Sequence, residues 1–174
     1  MSELPYEIIA INPRLRLRQL QLADAERVFS LVDADREYLA KYLPWADKTT
    51  EVEHSRDFIK LMLDRRESGD EYGYGIEYDG MIIGHTSIMH LKDRDVPEIG
   101  YWIGSDYQDK GIMTVVILEL TDFTFHTLNR NEAIIRAEPD NIGSNRVAEK
   151  CGYHRDGEIV EDGKTLNIWK ISAS

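Results

Sequence analysis

Glu98-Ile99-Gly100-Tyr101-Trp102-Ile103-Gly104, followed closely by Tyr107-Gln108-Asp109-Lys110-Gly111-Ile112-Met113-Thr114, is the stretch that decides how this chain folds. The first part is short, rich in β-branched and aromatic residues and bounded by glycine, so it reads as a strand. The second leads into residues 111–128, whose composition is helical and whose apolar positions include Val115, Leu118, Phe123, Phe125 and Leu128. A chain that passes from strand to helix through such a turn leaves the first N–H groups of the helix without intrahelical partners, at the positive end of the aligned peptide dipoles. Gly111 adds a backbone that a ligand can approach closely. Together these features make a phosphate cradle. It is neither a Walker loop nor a dinucleotide fingerprint, since both glycine spacings are absent. A glycine turn that does no more than start a helix fits the same residues.

Upstream, Leu15 and Leu17 alternate with Arg14, Arg16 and Arg18, which predicts a strand over 14–19. Leu22, Ala25, Val28, Phe29 and Val32 recur at helical spacing. A shorter helical stretch from Arg36 to Tyr42 stops before Pro44. Thr49-Thr50-Glu51-Val52-Glu53 resembles a capped helix start, and the apolar face that follows ends at Gly69. Tyr72–Tyr78 and Met81–Leu91 then flank Asp79-Gly80, a strong two-residue hairpin signal. Downstream, Ala133–Ala137 predicts a strand, Ser144–Lys150 a short helix, and Asp162-Gly163 a closing hairpin. No repeat, linker or low-complexity segment interrupts this order. The expectation is an α+β fold in one domain spanning residues 1–174, a mixed sheet with helices on both faces.

Composition sets outer bounds. With 42% hydrophobic and 30% charged residues among 174, the chain has the balance of an ordinary globular domain rather than a disordered one. No apolar run approaches the roughly 20 residues that a membrane span requires. Met-Ser-Glu-Leu-Pro lacks the basic start of a leader, so a cytoplasmic location is expected. A formal charge of −11, from 32 acidic and 21 basic residues, argues against direct nucleic-acid binding. It suits a cationic acceptor such as an amine or a basic protein terminus, and it serves solubility equally well. Cys151 is the single cysteine, which excludes an internal disulfide and a cysteine-rich zinc site. His85 and His90, five apart on a strand, fall on opposite faces, which is poor metal geometry, and no metal is expected.

A second constellation sharpens the first. Asn141-Ile142-Gly143-Ser144-Asn145 follows a strand, and Glu149-Lys150-Cys151-Gly152-Tyr153 ends the helix it opens. With Tyr38-Leu39-x-x-Tyr42-Leu43-Pro44-Trp45, the 98–102 strand and the Gln108-x-x-Gly111 turn, the chain resembles the GNAT superfamily of acyl-CoA N-acyltransferases over nearly its whole length. Within it, the RimJ/RimL branch of ribosomal-protein N-terminal acetyltransferases is the most similar. No one of these motifs is specific; their joint occurrence in order is.

The resemblance implies a centrally splayed sheet, opened between strand 98–104 and the next parallel strand, with acetyl-CoA as co-substrate. Backbone groups near Ile103 and Ser105 would pair with the pantetheine arm. N–H groups from Gln108, Asp109, Lys110, Gly111, Ile112, Met113 and Thr114 would hold the pyrophosphate, and Asn141 would bond the pantetheine portion. Met113 departs from the small residue usual at its place, although its N–H is retained. In this family an amine attacks the thioester directly, so the enzyme supplies a base and an acid rather than a nucleophile.

Glu98 is the expected base. Alternation places it on one strand face with Gly100, Trp102 and Gly104, where small residues would leave room for substrate. The alternative for Glu98 is a solvated residue at a strand start, and Glu161 is the second candidate for the base. The tyrosine that many members use as acid is replaced by Ala148, which leaves Ser144 as the expected acid, or as a helix cap. Tyr42 and Trp45 are the expected acceptor contacts, with core packing as their alternative. Three functions fit: acetylation of a protein N-terminal α-amine, acetylation of a small polyamine or aminoglycoside, and acyl-CoA binding without catalysis. A homo-oligomer is compatible with each.

Overall fold

The computed structural model describes residues 6–174, so the reading of the first five residues lies outside it. Eight strands form one sheet in the order β1-β2-β3-β4-β5-β6-β8-β7. They are β1 Ile8–Asn12, β2 Leu15–Arg18, β3 Tyr72–Tyr78, β4 Met81–Met89, β5 Glu98–Ile103, β6 Glu132–Ala137, β7 His154–Glu161 and β8 Lys164–Ser172. The helices are α1 Ala25–Ala34, α2 Arg36–Ala40, α3 Pro44–Lys48, α4 Val52–Ser68, α5 Ile112–His126 and α6 Ile142–Lys150. This is the mixed α+β sheet expected from the sequence. Contacts group the chain into two compact units, one running to Ser87 and adding Tyr101–Gln108, the other Ile88–Gly100 with Asp109–Ser174.

In the first unit the alternation of β2 has a direct cause. Leu15 and Leu17 are buried, while Arg16 and Arg18 both pair with Glu77, and Arg18 reaches Asp24 at 2.8 Å. Helices α1, α2, α3 and α4 supply a core of Val28, Leu31, Val32, Leu39, Ala46 and Ile59 around Ile82 and Trp102. Helix α4 buries Ser55, Ile59, Met62 and Arg66, a stripe at three- and four-residue spacing, and ends at Gly69 with φ of 81°. Two elements were not foreseen. Strand β1 carries the run Ile-Ile-Ala-Ile without alternation, and it exists as an outer strand by pairing antiparallel with β2. Helix α3 uses the fixed φ of Pro44 as its first residue, so proline begins a helix there as well as ending the stretch before it.

In the second unit β5 and β6 run parallel and meet with Glu98 opposite Ile134, whose N–H donates to the Pro97 carbonyl at 3.0 Å. Strand β6 alternates strictly, burying Ala133, Ile135 and Ala137 and leaving Glu132, Ile134 and Arg136 half-buried. Helix α5 buries Val116, Ile117, Leu120, Thr121 and Thr124, and the Thr121 hydroxyl meets the Tyr153 hydroxyl at 2.6 Å. Burial drives the Tyr153 phenol well above its usual range. Strand β7 is exposed at every residue and shifts register between Arg155 and Glu158, with Gly157 at φ 104°.

Candidate active site

The turn before α5 is built from two left-handed residues, Asp109 at φ 58° and Gly111 at φ 76°. Aspartate tolerates that region because its short side chain can bond locally, and glycine adopts it freely. Successive N–H groups in such a turn converge into an anion-binding concavity. Gly111 is the N-cap of α5; no side chain caps the helix, and its first turn carries no acidic residue. A Cβ built on Gly111 would meet nothing within 4 Å, so backbone conformation, not crowding by the protein, is what demands glycine. Ile112 and Met113 bury their side chains, so this first turn can offer a ligand only N–H groups from them. The arrangement fits a pyrophosphate. Met113 at the place of a small residue does not alter it.

Helix α6 begins two residues earlier than expected, and this corrects the capping reading of Ser144. The cap is Asn141, whose side-chain oxygen accepts the Ser144 N–H at 3.3 Å. Ser144 is the third residue of the helix and half-buried. Asn145 donates to the Glu138 and Asn141 carbonyls at 3.0 and 2.8 Å. Its oxygen accepts from Asn167 and from the Trp169 indole at 3.0 and 2.8 Å. Asn145 thus anchors α6 to β8, a role that the motif did not reveal. At the far end of α6, buried Cys151 donates its thiol to the Thr114 carbonyl at 3.4 Å, and burial pushes that thiol up to about 11.

Glu98 is buried, which removes the reading of a solvated strand start. Its Oε1 lies 2.8 Å from Arg136 Nε and 3.7 Å from Arg94 Nη1. Arg136 also bonds Glu161, so the two carboxylates considered for the base share one guanidinium. Burial opposes the Arg136 charge, but Glu98 and Glu161 outweigh it and the guanidinium's pKa is raised. The room expected beside Gly100 and Gly104 is filled. A Cβ on Gly100 would meet the Met89 methyl at 2.8 Å, and one on Gly104 the Leu31 side chain at 3.3 Å. Arg136 was missed; the half-buried face of β6, readable from its alternation, was the available signal.

In the first unit, Trp45 is partly exposed and stacks on Phe58 with ring centroids 6.1 Å apart and planes at 11°. It also lies 5.9 Å from the Trp102 ring, and Phe58 packs edge-on against buried His85 at 5.0 Å. Burial, with Arg66 nearby, lowers His85 to about 3, so its imidazole stays neutral throughout the physiological range. Tyr42 is half-buried and meets Tyr38 edge-on. Ile103 is buried, whereas Ser105 gives its N–H and hydroxyl to Asp35 at 2.8 and 2.6 Å. Gln108 gives its N–H to the Ser105 carbonyl at 3.3 Å.

A strand thus leads through a left-handed turn into a helix without a side-chain cap, and a second helix in the same unit is capped by asparagine. Comparison with known proteins supplies the class. The family described as the acetyltransferase (GNAT) domain matches residues 14–154. A Bacillus subtilis (strain 168) protein named "Putative ribosomal N-acetyltransferase YdaF" is 31% identical over 160 residues, covering 90% of this chain and 86% of that one. Among solved structures, the Microcin C7 self immunity acetyltransferase MccE in complex with acetyl-CoA and AMP superposes with a TM-score of 0.90 at 23% identity, covering 97% of each chain. RimL, the ribosomal L7/L12 alpha-N-protein acetyltransferase in complex with coenzyme A, gives 0.89 at 22% identity over 95% of this chain and 98% of that one. At these identities the two structures share the fold. The chain belongs to the GNAT acetyltransferase family, in its RimJ/RimL-like branch.

Proposed function

We propose that the chain, acting as one domain over residues 1–174, moves an acetyl group from acetyl-CoA to the α-amine of a protein N-terminus. The observation that carries this reading is the open first turn of α5, in a unit whose other helix start is closed by its own Asn141. N–H groups of Asp109–Thr114 hold the pyrophosphate; the Gln108 N–H, expected among them, is given to the Ser105 carbonyl instead. The Asn141 side-chain amide keeps its NH₂ for the pantetheine while its oxygen caps α6. Bound there, acetyl-CoA supplies the thioester whose C–S bond breaks as the amine nitrogen bonds to the carbonyl carbon. Glu98 takes the proton from the attacking nitrogen, and the Ser144 hydroxyl donates one to the departing sulfur. Trp45 and Tyr42 contact the acceptor, Trp45 being partly exposed. Names of related proteins that refer to ribosomal proteins support a protein terminus as acceptor.

Proton affinity supports the α-amine over lysine. Freeing an α-amine at pH 7 costs about 1–1.4 kcal/mol, against about 4.6 kcal/mol for a lysine side chain. A lone carboxylate is equal to the first task more readily than to the second. The test compares a lysine-free peptide with a free N-terminus against an N-blocked peptide carrying one lysine, with a polyamine and an aminoglycoside alongside. Acetylation of the free terminus at the highest kcat/KM is expected. Preference for blocked-peptide lysine, activity confined to the small amines, or acetyl-CoA binding without transfer would each overturn the reading.

A further inference from the structure

Glu98 carries an unusual combination for a buried carboxylate. It is only 7% exposed, yet its Oε1, in ion-pair contact with Arg136 Nε at 2.8 Å, accepts no well-aligned hydrogen bond from any described residue. Charge is balanced there, and that oxygen is closed off from solvent. Arg136 is positioned for this by the sheet. Glu98 lies opposite Ile134, and Arg136 follows two residues on, so all three share a face. On the same face Arg136 lies opposite Ile168 of β8, and beyond it Glu161 of β7 lies opposite Lys164. The guanidinium therefore spans from β5 to β7, with Glu98 at its Nε and Glu161 at its Nη1.

The other cation near Glu98 cannot do the same work. Arg94 stands at 3.7 Å with 42% of its side chain exposed, against 17% for Arg136. Elsewhere on the face, Lys170 is engaged with Glu132 at 3.0 Å and Lys164 with Glu138 at 3.6 Å. Glu161 is half-exposed and pulls on the far end of Arg136 from the outer strand. A planar fork can hold two carboxylates in fixed directions at once; an ammonium cannot.

We propose that Arg136 is the positioning residue for Glu98: it holds that carboxylate in a fixed direction, with Glu161 as the tether that fixes the guanidinium. The proposal rests on the reading of Glu98 as base. Arg136 touches neither substrate, and its effect passes through Glu98. Loss of the guanidinium leaves a buried carboxylate without its counter-charge, which then neutralises or turns away. Acetyl-CoA binding, made by N–H groups of another element, is untouched.

The experiment is steady-state kinetics on R136Q, R136K, E161Q, E98Q and the double variant E98Q/R136Q, with circular dichroism to confirm folding. R136Q is expected to lower kcat about 100-fold with KM for acetyl-CoA within about 3-fold of wild type. R136K recovers part of that loss, about 10-fold, by restoring charge without the fork. E161Q costs about 3-fold through a loosened Arg136. In the E98Q background, R136Q should add less than about 2-fold, because the residue it serves is gone. If R136Q does not fold, E98Q/R136Q leaves no buried carboxylate unpaired, since Glu161 is half-exposed, and is compared with E98Q directly. A full R136Q loss repeated in the E98Q background, a change confined to KM, or unaltered kcat would overturn the proposal. Wild-type turnover by E98Q would instead overturn the base assignment beneath it.

Discussion

Helices α5 and α6 start within the same unit and solve the same problem in opposite ways. Both leave their first N–H groups without intrahelical partners. At α6 the chain answers with its own side chain: Asn141 accepts from Ser144, and Asn145 binds the Asn141 carbonyl in turn. At α5 no side chain answers; Gly111 has none to offer. Closing a helix start in this way contributes about 1 kcal/mol, so leaving one open forgoes a readily available stabilisation. The difference sets α5 apart as the helix start left without a side-chain cap, and α6 as the frame that carries Ser144.

The harshest challenge to that contrast is a charge placed at the open start. G111D is expected to weaken acetyl-CoA binding at least about 100-fold by setting a carboxylate against the pyrophosphate. G111N, which tolerates the left-handed region without charge, should lose only about 5-fold. Calorimetry decides, and equal losses would show that backbone strain, not an anion site, explains the glycine. Next in size, S144A should lower kcat about 100-fold in a protein that still folds, since the cap uses the Ser144 N–H, which alanine keeps. Unchanged turnover in a folded S144A would make α6 purely structural.

A subtler cut separates the two ends of Asn141. N141D keeps the capping oxygen and loses the amide donor, so acetyl-CoA affinity should fall about 10-fold with stability nearly unchanged. A drop in melting temperature without an affinity change would confine Asn141 to capping. The smallest effect concerns the link between the helices. Cys151 titrates near 11 in the native protein and nearer 9 when unfolded. Its contribution is therefore complete below about pH 9 and declines as pH rises toward 11. Between pH 9 and 10, before Tyr153 enters, C151A should flatten the decline of stability with pH by up to about one proton, measured by urea unfolding. Identical slopes would mean that the thiol is not held as described.

Local chemistry was legible in the sequence where it was self-contained. Asp79-Gly80 and Asp162-Gly163 take positive φ at both residues, as a two-residue hairpin requires, and Gly69 and Gly111 bound their helices as read. Family membership followed from motif order. What escaped depended on partners distant in the chain. Strand β1 owes its existence to β2, and the side chains of Met89 and Leu31 occupy the space that Gly100 and Gly104 suggested would be open. The joining of Glu98 and Glu161 through Arg136 spans 63 residues, from 98 to 161, and no local pattern announces it. The capping role held open as the alternative for Ser144 falls to Asn141, because Asn and Ser suit that position equally well and only the backbone shows which one stands outside the helix.

The outer strand β7 carries a further consequence. A sheet that ends in a bare strand offers a row of backbone groups on which a foreign chain can polymerise. Here that rim is broken by the bulge at Arg155–Glu158 and the left-handed Gly157, and it bears Asp156, Glu158 and Glu161. Each device spoils the straight, uncharged template that fibril growth needs. Val160, the most exposed large apolar side chain among the described residues, is followed directly by Glu161 and the hairpin tip, where an approaching strand would have to bury a negative charge beside it. The price of leaving β7 uncovered is therefore small, and the molecule guards its own border.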